Sequence, residues 1–335
     1  MNIKDIAKMA GVSKATVSRV LNNSDAVAPH TQKKILSIID EVGFFPNHVA
    51  RSLKVKQTKT IGVIVPDIGN PFYFEVIRGI EKFLDKNGFN IMLCNSSYNE
   101  EKELRYLSLL ASKKVDGIIL AASSEDSKSL KKLRLWNIPY VVFDLPQSEN
   151  IDNSVLIDHS LCSHIGTNYL IKKGHKKILI IDACRYMAEY SKYIKGYIKA
   201  LNENKINVDK DLIQETTPDI IGGYNIIKKM LQNNIEFSGV LAISDLVAVG
   251  VYKAAKVFGK SIPEDISVIG NDDIPLARYL CPPLTTIQQP KFLIGHRSAE
   301  LLLENIYNKN NKDSYKTILL DIRLIKRESV KGENQ

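Results

Sequence analysis

Tryptophan occurs once in these 335 residues, cysteine four times and histidine six times. The cysteines (Cys94, Cys162, Cys184 and Cys281) lie far apart, with no CxxC pair and no Cys/His cluster. That scarcity excludes a zinc site and a disulfide framework, and it implies a reducing, cytoplasmic setting. No apolar run approaches the ~20 residues of a membrane span. The first residues alternate polar and apolar rather than forming a signal-peptide block, so neither membrane insertion nor export is expected. Catalytic motifs are also missing: there is no GxSxG, no HExxH and no GxGxxG after a strand. Phe258-Gly259-Lys260-Ser261 ends like a phosphate loop, but the first glycine of that motif would have to stand at Ala254. The histidines show no ligand spacing and read as surface or capping residues. No metal, no cofactor and no enzymatic activity are expected.

What is present is an ordinary globular composition, 44% hydrophobic and 25% charged, over a length that suits two or three domains. The net charge of +9 is unevenly spread. Residues 1–60 hold ten bases and four acids, and the remaining 275 hold 36 bases and 33 acids. A basic head on a near-neutral body points to a polyanion partner.

The head reads as three short helices. Ile3, Ile6, Ala7 and Ala10 follow helical spacing, with Asn2 as N-cap, Asp5 in the first turn and Gly11 at the end. Ser13 can cap a second helix whose apolar face is Val17, Val20 and Leu21. Pro29 suits the first turn of a third, with Ile35, Ile38, Ile39 and Val42 as its stripe and Gly43 as its end. Helices joined by a tight glycine turn describe a helix-turn-helix module. We place it at residues 1–46. A short capped segment, Asn47–Lys54, and the polar Val55–Lys59 form a connection over 47–59.

Residues 60–330 have a different texture. Apolar runs at Ile61–Val65, Asn90–Cys94, Val115–Leu120, Tyr140–Phe143, Ile178–Ile181, Gly239–Ile243 and Ile266–Ile269 alternate with helical stretches. Continuous apolar strands separated by helices imply parallel sheets covered on both faces. The length implies two α/β lobes.

The run Lys4-Asp5-Ile6-Ala7-Lys8-Met9-Ala10-Gly11-Val12-Ser13-Lys14-Ala15-Thr16-Val17-Ser18-Arg19-Val20-Leu21-Asn22 closely resembles the DNA-binding signature of the LacI/GalR family of transcriptional regulators. Val49–Leu53 is similar to that family's hinge. Gly62–Asp67, Val115–Ile119, Pro263–Ile266 and Pro283–Ile287 resemble motifs of its effector-binding core. Asn70-Pro71-Phe72-Tyr73 is most like the ribose-type regulators. The resemblance implies a homodimeric repressor of a carbohydrate-utilisation operon. It would bind double-stranded operator DNA of approximately palindromic sequence, with affinity set by a sugar or related effector between the lobes of a periplasmic-binding-protein-like core. A transport receptor with the same core is the alternative, and the basic head and missing signal peptide speak against it.

By the same resemblance, Lys14, Ala15 and Arg19 read base edges. Arg19 can pair bidentately with guanine, and Ala15 can offer only apolar contact. Ser13, Thr16, Ser18 and Asn22 suit phosphate contacts. The hinge segment would become helical on DNA, where Leu53 wedges into the minor groove. Ala50 would allow close helix approach, and Arg51 and Lys54 would bind phosphates. Packing of Leu53 on the body is the other reading.

Asn70, Phe72, Tyr73, Asp144, Lys192, Asp245, Asp272 and Gln289 are the effector-binding residues expected from the resemblance. Asp245 is the foremost, although a carboxylate there could instead cap the following helix. The chain also departs from the family pattern. Tyr193 stands where an arginine commonly precedes Gly196, Asp182-Ala183-Cys184 replaces a usual Gly-Pro, and Asp144 is followed by Leu145 instead of arginine. Two guanidinium contacts are therefore missing, which leaves Lys192 as a substitute cation.

Overall fold

The computed structural model describes residues 2–21, 26–44, 57–122, 127–145, 153–183, 191–308 and 316–331. The chain divides into two compact units, Met1–Thr58 and Lys59–Gln335.

In the first unit, α1 (Ile3–Ala10) begins at a reciprocal cap. The Asn2 side chain accepts from Lys4 N–H, and the Asp5 carboxylate accepts from Asn2 N–H, both at 2.8 Å. Each bond satisfies an amide that the first helical turn leaves without a partner. Gly11, at φ 69°, ends the helix in the left-handed region where a side chain would be strained. The Ser13 hydroxyl then accepts from Thr16 N–H at 3.1 Å and starts α2 (Lys14–Leu21). Proline occupies the first turn of α3 (Pro29–Glu41). Ile6, Ala7, Ala10, Val17, Val20 and Ile35 are buried together as the core of this small unit. Three short helices sharing one apolar centre hold each other in place, as none would be stable alone.

Among the described residues, the second unit holds two six-stranded sheets. One has the order β11-β5-β4-β3-β1-β2 and comprises β1 (Thr60–Val65), β2 (Asn90–Asn95), β3 (Gly117–Ala121), β4 (Tyr140–Phe143), β5 (Ser154–Ile157) and β11 (Thr317–Leu320). The other has the order β12-β10-β9-β8-β6-β7 and comprises β6 (Ile178–Asp182), β7 (Ile213–Glu215), β8 (Gly239–Ala242), β9 (Ser267–Asp272), β10 (Thr285–Gln288) and β12 (Arg323–Ile325). Every pairing is parallel except β10 with β12. The central strands are apolar on both faces because helices cover both.

Among the described residues the chain crosses between the lobes three times. The first crossing follows β5 at Asp158, which caps the helix His159–Lys172 that packs on the second sheet. Gln289 and Pro290 make the second, carrying the chain from β10 to the helix Lys291–Tyr307, which packs on the first sheet. The third lies between β11 and β12. β5, β7, β10, β11 and β12 were not read as strands from the sequence. They have three or four residues each, and β7, β11 and β12 are edge strands with partly exposed residues.

The helix Pro71–Lys86 lies against Lys291–Tyr307 so closely that glycine is required on both sides. A Cβ on Gly79 would stand 2.1 Å from the Phe292 carbonyl oxygen, and one on Gly295 1.9 Å from that of Val76. Gly79→Ala is therefore expected to force the helices apart at a cost of about 1–3 kcal/mol. Urea denaturation should show a lower midpoint with an unchanged slope. An unshifted midpoint would mean that this contact yields without cost.

Candidate functional site

On α2, the faces divide as a recognition helix requires. Val17 and Val20 are buried, whereas Lys14, Ala15 and Arg19 are exposed on the outer half of the helix. Ser13 and Thr16 share a hydroxyl–hydroxyl contact of 2.9 Å at the start of the helix, and Ser18 is half-buried. Asn22, Ala50, Arg51, Leu53 and Lys54 lie outside the described residues.

The second candidate site is the cleft between the two lobes, at the carboxyl ends of both parallel sheets, where open α/β folds place ligands. A cavity of about 230 Å³ opens there, lined by Pro66, Asp67, Ser97 and Tyr98 of one lobe and Pro218 and Asp219 of the other. Non-glycine residues with positive φ gather at the same strand ends: Ser97 at 54°, Tyr98 at 53°, Asp144 at 56°, Asp272 at 127° and Asp273 at 56°. Such backbone is costly and tends to be kept where it aims side chains.

Asp144 follows β4, and its Oδ2 accepts from the Tyr73 hydroxyl at 2.8 Å. Burial and the Asp144 charge push the Tyr73 phenol well up, and Tyr98 beside it is raised for the same reasons. His159, at the first crossing, brings its Nε2 to 3.9 Å from Asp144 Oδ1. Burial pulls its pKa below the ordinary histidine value, against the opposite pull of Asp144, Asp182 and Asp158. Asp182 closes β6, with its carboxylate accepting from Ser191 Oγ and from Ala183 N–H at 2.8 Å. Burial nonetheless raises its pKa. Lys192 opens the next helix and lies near enough to His159 to oppose its protonation.

Asp272 ends β9, fully desolvated, with Oδ1 accepting from Gln289 Nε2 at 2.8 Å. Burial, then repulsion from Asp245 and Asp144, holds its carboxyl well above the usual range. Lys291 Nζ lies beneath, donating to the main-chain carbonyls of Asp272, Asp273 and Gln289. Burial alone would raise neighbouring Asp273, but hydrogen bonds from Arg327 and Gln288 hold it low. The structure thus brings Tyr73, Asp144, Lys192, Asp272 and Gln289 together. It adds Tyr98 and His159, which motif reasoning passed over, and Asp182, which stood out only as a departure from the family pattern. One signal could have found Tyr98 and Asp182: each stands at or just beyond the carboxyl end of a strand that the sequence shows, whereas His159 follows β5, which it does not.

The other expected residues are placed differently. Asn70 caps the helix Pro71–Lys86, its Oδ1 accepting from Phe72 N–H at 2.9 Å, and Phe72 is buried in the core. Asp245 has no exposed surface, and both its oxygens are engaged. Oδ1 accepts from Thr286 Oγ1 at 2.6 Å and Oδ2 from Ile274 N–H at 2.8 Å. Nor does it cap its helix, because Ser244 does, accepting from Val247 N–H at 3.2 Å. Asp245 is instead a buried tie between β10 and the loop after β9.

Two outcomes follow from this tie. Asp245→Ala leaves an amide and a hydroxyl without their acceptor and is expected to cost about 1–3 kcal/mol. Burial also pushes the Asp245 carboxyl up to about 6, against about 3.9 in an unfolded chain. Between those values the folded state binds the extra proton, so this group's contribution falls as pH rises from about 4 to 6. Asp245→Asn should flatten that part of the pH–stability curve, measured by chemical denaturation. A variant that loses ligand binding with stability and pH slope intact would instead place Asp245 on the ligand.

Comparison with known proteins bears on both sites. Residues 2–47 match the bacterial regulatory proteins of the lacI family, and residues 58–328 match the periplasmic binding proteins and sugar binding domain of the LacI family. The transcriptional regulator RegA of Clostridium saccharobutylicum is 39% identical over 329 residues, 98% of each chain. A LacI-family regulator of Enterococcus faecium with bound ribose is 35% identical, with a TM-score of 0.71 over 81% of this chain and 98% of its own. The lac repressor dimer bound to operator and the anti-inducer ONPF is 25% identical, with a TM-score of 0.84 over 98% of both chains. No helix among the described residues is long and apolar enough to cross a membrane. Sharing both modules with such regulators along nearly its whole length, the chain belongs to the LacI family of DNA-binding transcriptional regulators, which are not enzymes.

Proposed function

We propose that the chain acts in the cytoplasm as a homodimeric repressor, each head reading one half of an approximately palindromic operator. Its affinity for that operator would be controlled by a sugar or sugar derivative bound between the lobes. The observation that carries the reading is the exposure of Lys14, Ala15 and Arg19 on a helix whose opposite face is buried. In a helix-turn-helix that helix enters the major groove, and its first turns meet base edges. The lac repressor seen on operator as a dimer supports the assembly, and the ribose-bound relative supports a sugar-type effector.

The working division is a head over 1–46, a hinge over 47–59 and an effector-binding and dimerisation body over 60–330. In the hinge, Leu53 from each subunit would wedge into the minor groove, with Arg51 and Lys54 on phosphates and Ala50 at the helix contact. The effector would meet Tyr73, Asp144, Lys192, Asp272 and Gln289. Its binding shifts the body between two states only by its differential affinity for them. A single turn of DNA between half-sites matches the two-fold symmetry of such a dimer.

Arg19→Ala is expected to cost about 1–3 kcal/mol per half-site on the cognate operator and to relax preference at one base pair. Binding to random duplex should change far less. Fluorescence anisotropy with both duplexes at matched salt reads the difference. Equal loss on cognate and random DNA would remove Arg19 from base reading.

A further inference from the structure

Lys59 is the first residue of the second compact unit, where the connection from the head ends. Its backbone and its side chain are both held. The carbonyl accepts from Asn90 N–H at 2.8 Å, as the pairing of β1 with β2 begins. The ammonium stands 4.1 Å from the centre of the Phe89 ring and 5.6 Å from that of Tyr307, and it donates to the Tyr307 hydroxyl at 3.0 Å. Both rings lie within the ~6 Å over which an aromatic face attracts a cation. The backbone, at φ 52°, is in the left-handed region that residues other than glycine avoid.

The groups that grip Lys59 are themselves fixed. Phe89 is buried in the core and directly precedes β2. Tyr307 is more than half exposed, but it ends the helix Lys291–Tyr307, which packs on β3, β4 and β5 and is locked to Pro71–Lys86 at Gly79 and Gly295. The next residue is tied as well. Thr60 N–H donates to Asp116 Oδ2 at 3.3 Å, and the Thr60 carbonyl accepts from Asp116 N–H at 2.9 Å. All of these groups belong to the lobe of the first sheet. Left-handed backbone at a lysine is costly, and it persists where the surroundings hold it for a purpose.

The clamp makes the end of the connection part of a rigid lobe. An unheld residue at that point would sample many backbone conformations, and fixing one residue's backbone corresponds to roughly five- to thirtyfold in an equilibrium. A chain that leaves the lobe already ordered has that ordering in place before DNA is bound, and preorganisation of this kind raises affinity. For the same reason, a turn of the lobe about the crossings reaches the connection without slack.

We propose that Lys59, clamped by Phe89 and Tyr307, is a positioning residue for operator binding, which fixes the direction in which the connection leaves the lobe. The inference rests on the reading that head and body act together on one operator. The rival role for a lysine at this place is a direct phosphate contact. The two roles make opposite demands on Tyr307. A positioning lysine needs the tyrosine hydroxyl, whereas a lysine that binds phosphate has to leave it.

The test uses the full chain, a palindromic duplex enriched by that chain from random sequence, and a random duplex of equal length, in fluorescence anisotropy across a salt series. Lys59→Met and Tyr307→Phe, each checked for folding by urea denaturation, should bind the enriched duplex about three- to tenfold more weakly. The slope of log affinity against log salt should stay as it is, and binding to the random duplex should barely change. The double variant should lose no more than Lys59→Met alone, because both substitutions remove one contact. A phosphate contact would instead lower the salt slope by about one per subunit in Lys59→Met and leave Tyr307→Phe as tight as the parent or tighter. Either result would overturn the inference while keeping the operator reading. So would full affinity in both variants, or losses that multiply in the double variant. A parent chain that enriches no duplex would overturn the operator reading itself, and the inference with it.

Discussion

Three chain crossings between two parallel sheets are the constraint on which the rest of the body depends. Each sheet is rigid, apolar on both faces and covered by helices whose closest approaches are set by glycine. The crossings at Asp158, at Gln289 and Pro290, and between β11 and β12 are the places where one lobe can turn on the other. His159 and Gln289 stand on two of them. The same side chains therefore stand at the strand ends where the backbone passes between lobes, and on the proposed reading a ligand that engages them would act on the hinge directly. Hinge closure of this kind absorbs its motion in a few residues at element ends.

The electrostatics of the cleft are unusual for the same reason. Strand ends from both sheets converge, and many of them end in acids: Asp144, Asp182, Asp272 and Asp273, with Asp158 at the crossing. Asp273 is held low by Arg327 and Gln288. Asp182 and Asp272 are pushed up by burial, and Asp272 also by its acidic neighbours. Crowding of carboxyls in a desolvated cleft disfavours their charged forms, and a bound cation relieves it. Strained backbone at Asp144, Asp272 and Asp273 accompanies this crowding, as expected where side chains are positioned for recognition instead of stability.

How much of this was legible in the sequence depends on the length scale of the signal. The head was readable because its caps and glycine turn are local: Asn2, Gly11, Ser13 and Pro29 do what their chemistry favours within four residues. The central strands were readable because burial on both faces leaves continuous apolar runs such as Ile61–Val65. The short edge strands β7, β11 and β12 carry no such run. The cleft was harder. Asp245 looks in sequence like a polar residue offered at a helix start, and its burial depends on Thr286, 41 residues away. Asp182 stood out only as a departure from a pattern, and His159 not at all, because a side chain's position relative to the opposite lobe has no local signature.

The central claim is that cleft and operator are linked sites, and linkage is reciprocal. The most direct measurement is a four-way titration: operator affinity with and without a sugar-type ligand, and affinity for that ligand with and without operator. The account predicts that each changes the other's affinity by the same factor, different from one. Tight ligand binding that leaves operator affinity untouched would contradict it.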